Sequence, residues 1–168
     1  MALDIGATKV EAALVARDGT LRARSRISDA DHHDDLITGI IELSRRVMSE
    51  GSVDVVGVGC AGPMSRGGEE VSPLNIAQWR AFPLRRSLRD ALGVDVYVDG
   101  DARALALAEG AFGAARDDSS YLSMVVSTGV GGGLVIDGEL LDGESGNAGH
   151  IGHLNVCLLY TSDRKSVV

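Results

Sequence analysis

Residues 121–138 read YLSMVVSTGVGGGLVIDG, two apolar runs on either side of a glycine cluster at Gly129, Gly131, Gly132 and Gly133. Glycine lets the backbone turn through positive φ and approach a ligand closely, and the peptide N–H groups of such a turn form an anion-binding concavity. The stretch reads as a hairpin that cradles phosphate, or as a tight turn whose glycines serve only the turn. The same pattern occurs near the start of the chain. Residues 2–19 run strand, GATK turn, strand and Asp-Gly turn, matching strand, STGVGGG, strand and Asp-Gly turn at residues 124–138. An internal repeat of this kind marks a duplicated domain.

The residues between the copies read as one α/β unit. Three strands, ALDI, VEAALVA and LRARSRI, are joined by the turns GATK and RDGT into an antiparallel meander. After an acidic segment, Leu36, Ile40, Leu43 and Val47 share one helical face, with Asp34 and Asp35 suited to the first turn and Arg45 and Arg46 near the end. VDVVGVG at residues 53–59 is a buried strand. A second helix starts near Pro83, turns Leu84, Leu88 and Leu92 inward and stops at Gly93. Residues 94–98 form another strand, and residues 102–112 an alanine- and leucine-rich helix expected to be buried on most sides. The polar break AARDDSS sets the expected boundaries: a complete first domain over 1–115, the start of a second over 116–156, and a non-native or fragmentary tail over 157–168.

At 168 residues the chain is long enough for one full domain and part of another. Aromatic residues are only 4% of it, so the core must be built from Ala, Val, Leu and Ile. A net charge of −8 argues against nucleic acid, which needs clustered Lys and Arg. Cys60 and Cys157 form no CxxC pair, which leaves no disulfide framework and no self-contained zinc motif. No apolar stretch approaches the ~20 residues of a membrane helix and no signal peptide is present, so a cytoplasmic protein with no membrane partner is expected. His32 and His33 lie among acidic neighbours and read as solvated loop residues.

Two such hairpins facing each other across a cleft would clasp the β- and γ-phosphates of a nucleotide, and Asp4 beside the first turn would position a hydrated Mg²⁺. Phosphoryl transfer then needs in-line positioning, charge neutralisation and a base for the attacking hydroxyl. Asp101, at a strand-to-helix junction, is the candidate base. Each has a plainer alternative: Asp101 as a helix N-cap, Asp4 as a solvated strand-end carboxylate, Thr8 and Lys9 as hairpin residues. No GxxxxGK[ST] loop occurs, and both glycine segments lead into strands, which argues against a Rossmann dinucleotide site.

DIGATK at 4–9, GCAGPM at 59–64, SPLNIAQW at 72–79, DGDARALALAEG at 99–110, STGVGGG at 127–133 and GNAGHIGH at 146–153 together resemble the ROK family of sugar kinases and sugar-responsive repressors. The resemblance implies an actin/hexokinase-like fold of two ribonuclease-H-like domains, the first complete here and the second truncated. It also implies ATP-dependent phosphorylation of a hexose such as glucose or of an N-acyl amino sugar. By the same resemblance Asp4, Gly6 and Thr8 form the first phosphate motif, and Thr128, Gly129, Gly131 and Gly132 the second. Asp101 matches the catalytic aspartate. Asn75, the loop at Gly62, His150 and His153 match the sugar side, and His153 also matches a ligand of a structural Zn²⁺. A homodimer is expected of the full-length protein.

The chain departs from the family in three places. Gly100-Asp101-Ala102-Arg103 replaces an Asn-Asp-Ala-Asn turn, so an amide that would bind sugar hydroxyls is missing. Losing such a partner costs about 1–3 kcal/mol, enough to shift substrate preference. His150 stands where many members have a glutamate. Only Cys157 follows His153, where three zinc-binding thiolates are expected, and one His with one Cys does not make a tetrahedral site. A sugar-responsive regulator or non-catalytic sugar-binding protein on the same fold is the rival reading. The repressors' N-terminal helix-turn-helix has no room before residue 4, and both phosphate motifs and Asp101 are kept, which favours the enzyme.

Overall fold

The structure is a computed structural model that describes residues 1–6, 8–28, 35–127 and 129–154, so His32, His33, Asp34, Thr128, Cys157 and the expected tail at 157–168 lie outside the described residues. Strands β1 (Ala2–Ile5), β2 (Lys9–Val15) and β3 (Leu21–Ser28) form the expected antiparallel meander, with Ile5 opposite Val10 and Val10 opposite Ile27. Period-two alternation puts Leu3, Ile5, Val10, Ala12 and Leu14 on one buried face. β3 is half-buried or exposed along its length, as an edge strand is. Gly19 takes φ 83° in the turn before it, and Asp18 Oδ1 accepts from the Thr20 N–H at 2.9 Å.

Helix α1 (Leu36–Met48) starts behind Asp35, whose carboxylate accepts from the Thr38 N–H at 3.3 Å and the Thr38 hydroxyl at 2.6 Å. Asp35 is therefore the N-cap and lies before the first turn. Leu36, Ile40, Leu43 and Val47 are all buried, as their spacing predicts. Ser44 is buried on the same face and donates to the Ile40 carbonyl at 2.7 Å, which satisfies its hydroxyl. Strand β4 (Val55–Cys60) runs parallel to β1, and helix α2 (Leu84–Leu92) runs from Pro83 to Gly93, which closes it at φ 71°. Strand β5 (Asp95–Gly100) adds parallel to β4, completing a sheet in the order β3-β2-β1-β4-β5. α1 and α2 cover the face that carries Leu3, Ile5, Val56, Val58, Val96 and Val98, and this is the core.

Helix α3 (Asp101–Phe112) follows β5 directly and lies over the other face beside Gly59, where a Cβ would stand in ordinary contact, 3.5 Å from the Asp101 Cα. The helix also carries a second sheet, β6 (Tyr121–Val126), β7 (Val130–Ile136) and β8 (Glu139–Leu140). Ala102, Ala106 and Gly110 form a stripe of small residues at helical spacing, and the second sheet sits on it. Against that stripe, a Cβ on Gly131 would stand 3.0 Å from the Ala102 Cβ, and one on Gly133 2.6 Å from the Ala106 Cβ. The Tyr121 hydroxyl donates to the Ala106 carbonyl at 2.8 Å.

α3 is not buried on most sides, as its composition had suggested. Ala102, Arg103 and Ala106 are its buried residues, while Leu105, Leu107 and Phe112 are 36%, 48% and 55% exposed. Its small residues meet the second sheet and its leucines border an open cleft, so hydrophobicity alone did not report burial. No helix among the described residues is long and apolar enough to cross a membrane.

Candidate functional site

Register places the carboxylates. In the parallel ladder Asp4 pairs with Gly59 and Gly59 with Asp99, so the three lie in one row across β1, β4 and β5. Gly59 has no side chain to fill the middle of that row. Asp4 and Asp101 therefore face one open cleft of about 950 Å³, whose lining includes Asp4, Gly59, Asp99, Asp101, Ala104 and Val125. The Asp4 carboxyl is pushed above its ordinary pKa, first by partial desolvation, then by repulsion from Asp101 and Glu11, with Lys9 opposing. Beneath them Cys60 is fully buried, and its thiol is pushed up to about 12 by burial and by the charges of Asp101 and Asp4. The cleft floor is thus rich in negative charge. Hard carboxylate oxygens of this kind fit a hydrated Mg²⁺.

Asp101 is not the N-cap of α3. That position belongs to Gly100, which is extended (φ −60°, ψ 139°) and has no side chain to cap with. Asp101 is the first helical residue; its Oδ1 accepts from the Ala102 N–H at 2.7 Å, and the residue remains exposed. Asp99 is differently placed, since Arg103 engages both of its oxygens, at 2.6 and 3.3 Å.

The two turns differ from the sequence expectation in one respect. In the first, the Gly6 N–H donates to the Lys9 carbonyl at 3.0 Å, and Thr8 is exposed at the tip. In the second, the Ser127 N–H donates to the Gly129 carbonyl at 2.9 Å. Gly131 and Gly132 lie beyond it, inside β7, and none of Gly129, Gly131, Gly132 and Gly133 has positive φ. The Gly132 N–H donates to the Gly149 carbonyl at 2.8 Å. What the structure takes from Gly131 and Gly133 is the absence of a Cβ, which lets β7 approach α3; only Gly129 of the cluster belongs to the turn.

The remaining residues gather on loops beyond β4. Gly62 has φ 91°, and a Cβ there would stand 2.6 Å from the Pro73 Cα, so glycine is required both by backbone and by contact. That contact pins the Gly62 loop to the turn bearing Asn75, which is exposed. Buried Ile76 and Trp79 anchor the turn, Trp79 stacks on Phe82 at 4.4 Å, and Arg80 donates to the Pro73, Ile76 and Trp79 carbonyls. Asn147 accepts from the Met64 N–H at 3.0 Å and donates to the Met64 carbonyl at 2.9 Å. This brings the 146–153 segment against the Gly62 loop. His150, which precedes the 3₁₀ turn Ile151–His153, and His153, its last residue, are exposed with rings edge to face at 6.3 Å. Among the described residues no group of three or more His, Cys, Asp or Glu could hold a metal, so a zinc site at His153 has no donor set here.

Sequence reasoning missed the role of Arg103, which it read only as a lost amide. The side chain is buried and engages Asp99, Asp142 and two backbone carbonyls. Burial pulls its pKa down, but hydrogen bonds to Asp99 and Asp142 outweigh this and hold the guanidinium charged. The spacing Asp99 to Arg103, i to i+4 across a helix start, was the available signal.

A family model described as the ROK family matches residues 1–162. The chain is 35% identical over 156 residues to an N-acetylmannosamine kinase of Escherichia coli O6:H1, covering 92% of this chain and 53% of that one. The structure of a ROK family glucokinase from Streptomyces griseus in complex with glucose and AMPPNP superposes with a TM-score of 0.83 at 29% identity, over 92% of this chain and 50% of that one. A ROK family transcriptional regulator homologous to the E. coli MLC protein superposes at 0.82 with 23% identity, over 93% and 41%, and shares the fold. The chain spans about half the length of the two kinases and about two fifths of the regulator.

Proposed function

The chain belongs to the ROK family, with its actin/hexokinase-like fold, and from that membership we propose that the whole protein transfers the γ-phosphoryl group of ATP to a hydroxyl of a hexose or N-acyl amino sugar. The observation that carries the reading is Asp101: an exposed carboxylate in the first turn of α3, steadied through one oxygen by the Ala102 N–H, on the cleft it shares with Asp4. In this reading Asp101 accepts the proton of the sugar hydroxyl as that oxygen bonds to the γ-phosphorus, the bond to the β–γ bridging oxygen breaks, and ADP leaves. In this reading the phosphates lie against the first turn, at Gly6 and Thr8, and against the second, at Gly129, with Thr128 assigned to the second motif by the family resemblance. Gly131 and Gly132 support the second turn from within β7. Asp4 would hold a hydrated Mg²⁺, which when bound would neutralise charge on the phosphate oxygens.

Asn75, the Gly62 loop, His150 and His153 form the sugar side. The names of the relatives support both sugar classes, since one is an N-acetylmannosamine kinase and another a glucokinase with glucose bound. The first domain then ends with α3 near residue 115, and the second begins with β6. With ATP as co-substrate the reading places the protein in the cytoplasm, and it carries over a homodimer as the expected assembly.

Assay of the full-length protein and its Asp101→Asn variant over a panel of hexoses and N-acyl hexosamines tests the base. The variant should lose about 10²–10⁴-fold in kcat, the usual contribution of a positioned general base, with little change in the KM for ATP. Near-equal turnover would remove Asp101 from the mechanism. Sugar binding by the wild-type protein without ATP turnover would point to a regulator on the same fold.

A further inference from the structure

Arg103 lies two residues beyond Asp101 on α3, and only 8% of its side chain is exposed. Its Nε donates to Asp99 Oδ1 at 2.6 Å, and Nη2 donates to Asp99 Oδ2 at 3.3 Å and to Asp142 Oδ1 at 2.5 Å. Nη1 donates to the Leu141 carbonyl at 2.6 Å and the Ala148 carbonyl at 3.4 Å. Two of these acceptors belong to β5. The other three belong to the segment 141–149, which begins beyond β8 and leads into His150. A buried guanidinium is tolerated only when its donors are matched, and here the planar fork is filled from both sides.

The segment has three other anchors. Asn147 holds it to the Met64 backbone, the Leu141 N–H donates to the Leu134 carbonyl of β7 at 2.8 Å, and the Gly149 carbonyl accepts from the Gly132 N–H of β7. None of them reaches α3. Arg103 is thus the side chain that joins the segment leading to His150 to the helix that starts with Asp101. Its fixed fork sets their separation, and turning it toward a ligand would leave Asp142 and two carbonyls without this donor and Asp99 with the Gly100 N–H in its place.

We propose that Arg103 is a positioning residue that fixes the 141–149 segment, and with it His150, relative to Asp101, so that the sugar is held in register with the base. The inference rests on the sugar-kinase reading for its ligand, and it concerns sugar binding rather than phosphate binding. It changes the meaning of the Arg103 departure: the position gives up a direct sugar contact and takes over the placement of another residue that makes one.

The test uses the full-length protein with Arg103→Gln, Arg103→Lys and Asp142→Asn, measuring the KM for sugar and for ATP, sugar affinity by calorimetry, and melting temperature. Asp142, 53% exposed, can lose its charge without leaving a buried cavity, so that variant reports even where Arg103→Gln fails to fold. Arg103→Gln should raise the sugar KM and Kd by about 10-fold or more, in the range expected when buried hydrogen-bonded groups lose their partner. The ATP KM should stay within about twofold, and Arg103→Lys and Asp142→Asn should fall between wild type and Arg103→Gln. Variants that melt lower but bind sugar as wild type does would overturn the proposal, as would a wild-type protein that binds no sugar. Sugar binding without phosphorylation, weakened by the same substitutions, would sink the kinase reading and leave the positioning role standing.

Discussion

Replacing Gly133 by alanine would place a methyl carbon 2.6 Å from the Ala106 Cβ, 3.0 Å from the Arg103 Cα and 3.2 Å from the Ala102 carbonyl oxygen. Carbon atoms in contact prefer about 3.5–4.0 Å, so about 1 Å has to be found. The neighbours cannot supply it by changing rotamer, because two are helix backbone and the third is an alanine methyl. The sheet must therefore lift off α3 along the seam, loosening the Gly131–Ala102 contact and the Tyr121–Ala106 hydrogen bond. A gap of 0.5–1 Å forfeits about a quarter to a half of each dispersion contact, and overpacking costs typically about 1–3 kcal/mol. Against this, alanine lowers the entropy of the unfolded chain by about 0.4–1 kcal/mol where the backbone accepts it. The net expectation for the full-length Gly133→Ala protein is a loss of about 1–2 kcal/mol, or roughly 2–8 °C in melting temperature by circular dichroism. Gly57→Ala is the matched control in β4, since a Cβ there meets nothing within 4 Å. If Gly133→Ala melts with or above Gly57→Ala, the claim that β7 needs its glycines for close packing is wrong.

Further outcomes follow from the cleft. The folded Asp4 carboxyl has a pKa above its ordinary 3.8, so the stability it contributes is complete below 3.8 and is lost as pH rises through the folded value. Asp4→Asn should accordingly melt higher than wild type in magnesium-free buffer at pH 7, with a gain that shrinks as pH falls toward 3.8; a gain that grows toward acid would refute the sign. Cys60, with its thiol pushed up to about 12 and its sulfur buried, should resist iodoacetamide at pH 8 in the native protein and react on unfolding, followed at its tryptic peptide by mass spectrometry. Rapid labelling of the folded protein would contradict its placement.

The first sheet was legible because its signals are local. Asp18-Gly19 announces its turn, Leu36, Ile40, Leu43 and Val47 announce their face, and Pro83 and Gly93 bracket α2 within the residues they adjoin. The six spaced motifs carried the fold, and with it the expectation that Asp4 and Asp101 share a cleft. The glycine cluster was only half legible. Its sequence shows that side chains are absent, but whether that serves a turn, a ligand or a neighbour depends on what lies opposite, and Ala102 and Ala106 are more than 20 residues away. Arg103 was harder still, since Leu141, Asp142 and Ala148 are 38 to 45 positions distant. The overestimated burial of α3 has the same origin: alanine and leucine state a preference for being covered, and the covering element is set by topology.

No residue separates β5 from α3, so a rotation of the second sheet against the first that released the Asn147–Met64 pair and the Arg103 links to Asp142, Leu141 and Ala148 would turn about Gly100. For a rotation on the order of 15°, the Cα of Asp101, about 3.8 Å from that point, moves by about 1 Å. The far end of α3, about 17 Å away, sweeps about 4–5 Å. The seam runs in a definite direction along this lever: Gly131 meets Ala102 at the near end, and Tyr121 meets Gly110 at the far end. The turn at Ser127 and Gly129 therefore rides on the short arm beside Asp101, and the long arm carries the travel. Opening and shutting the cleft would leave the base and the second turn almost stationary with respect to one another.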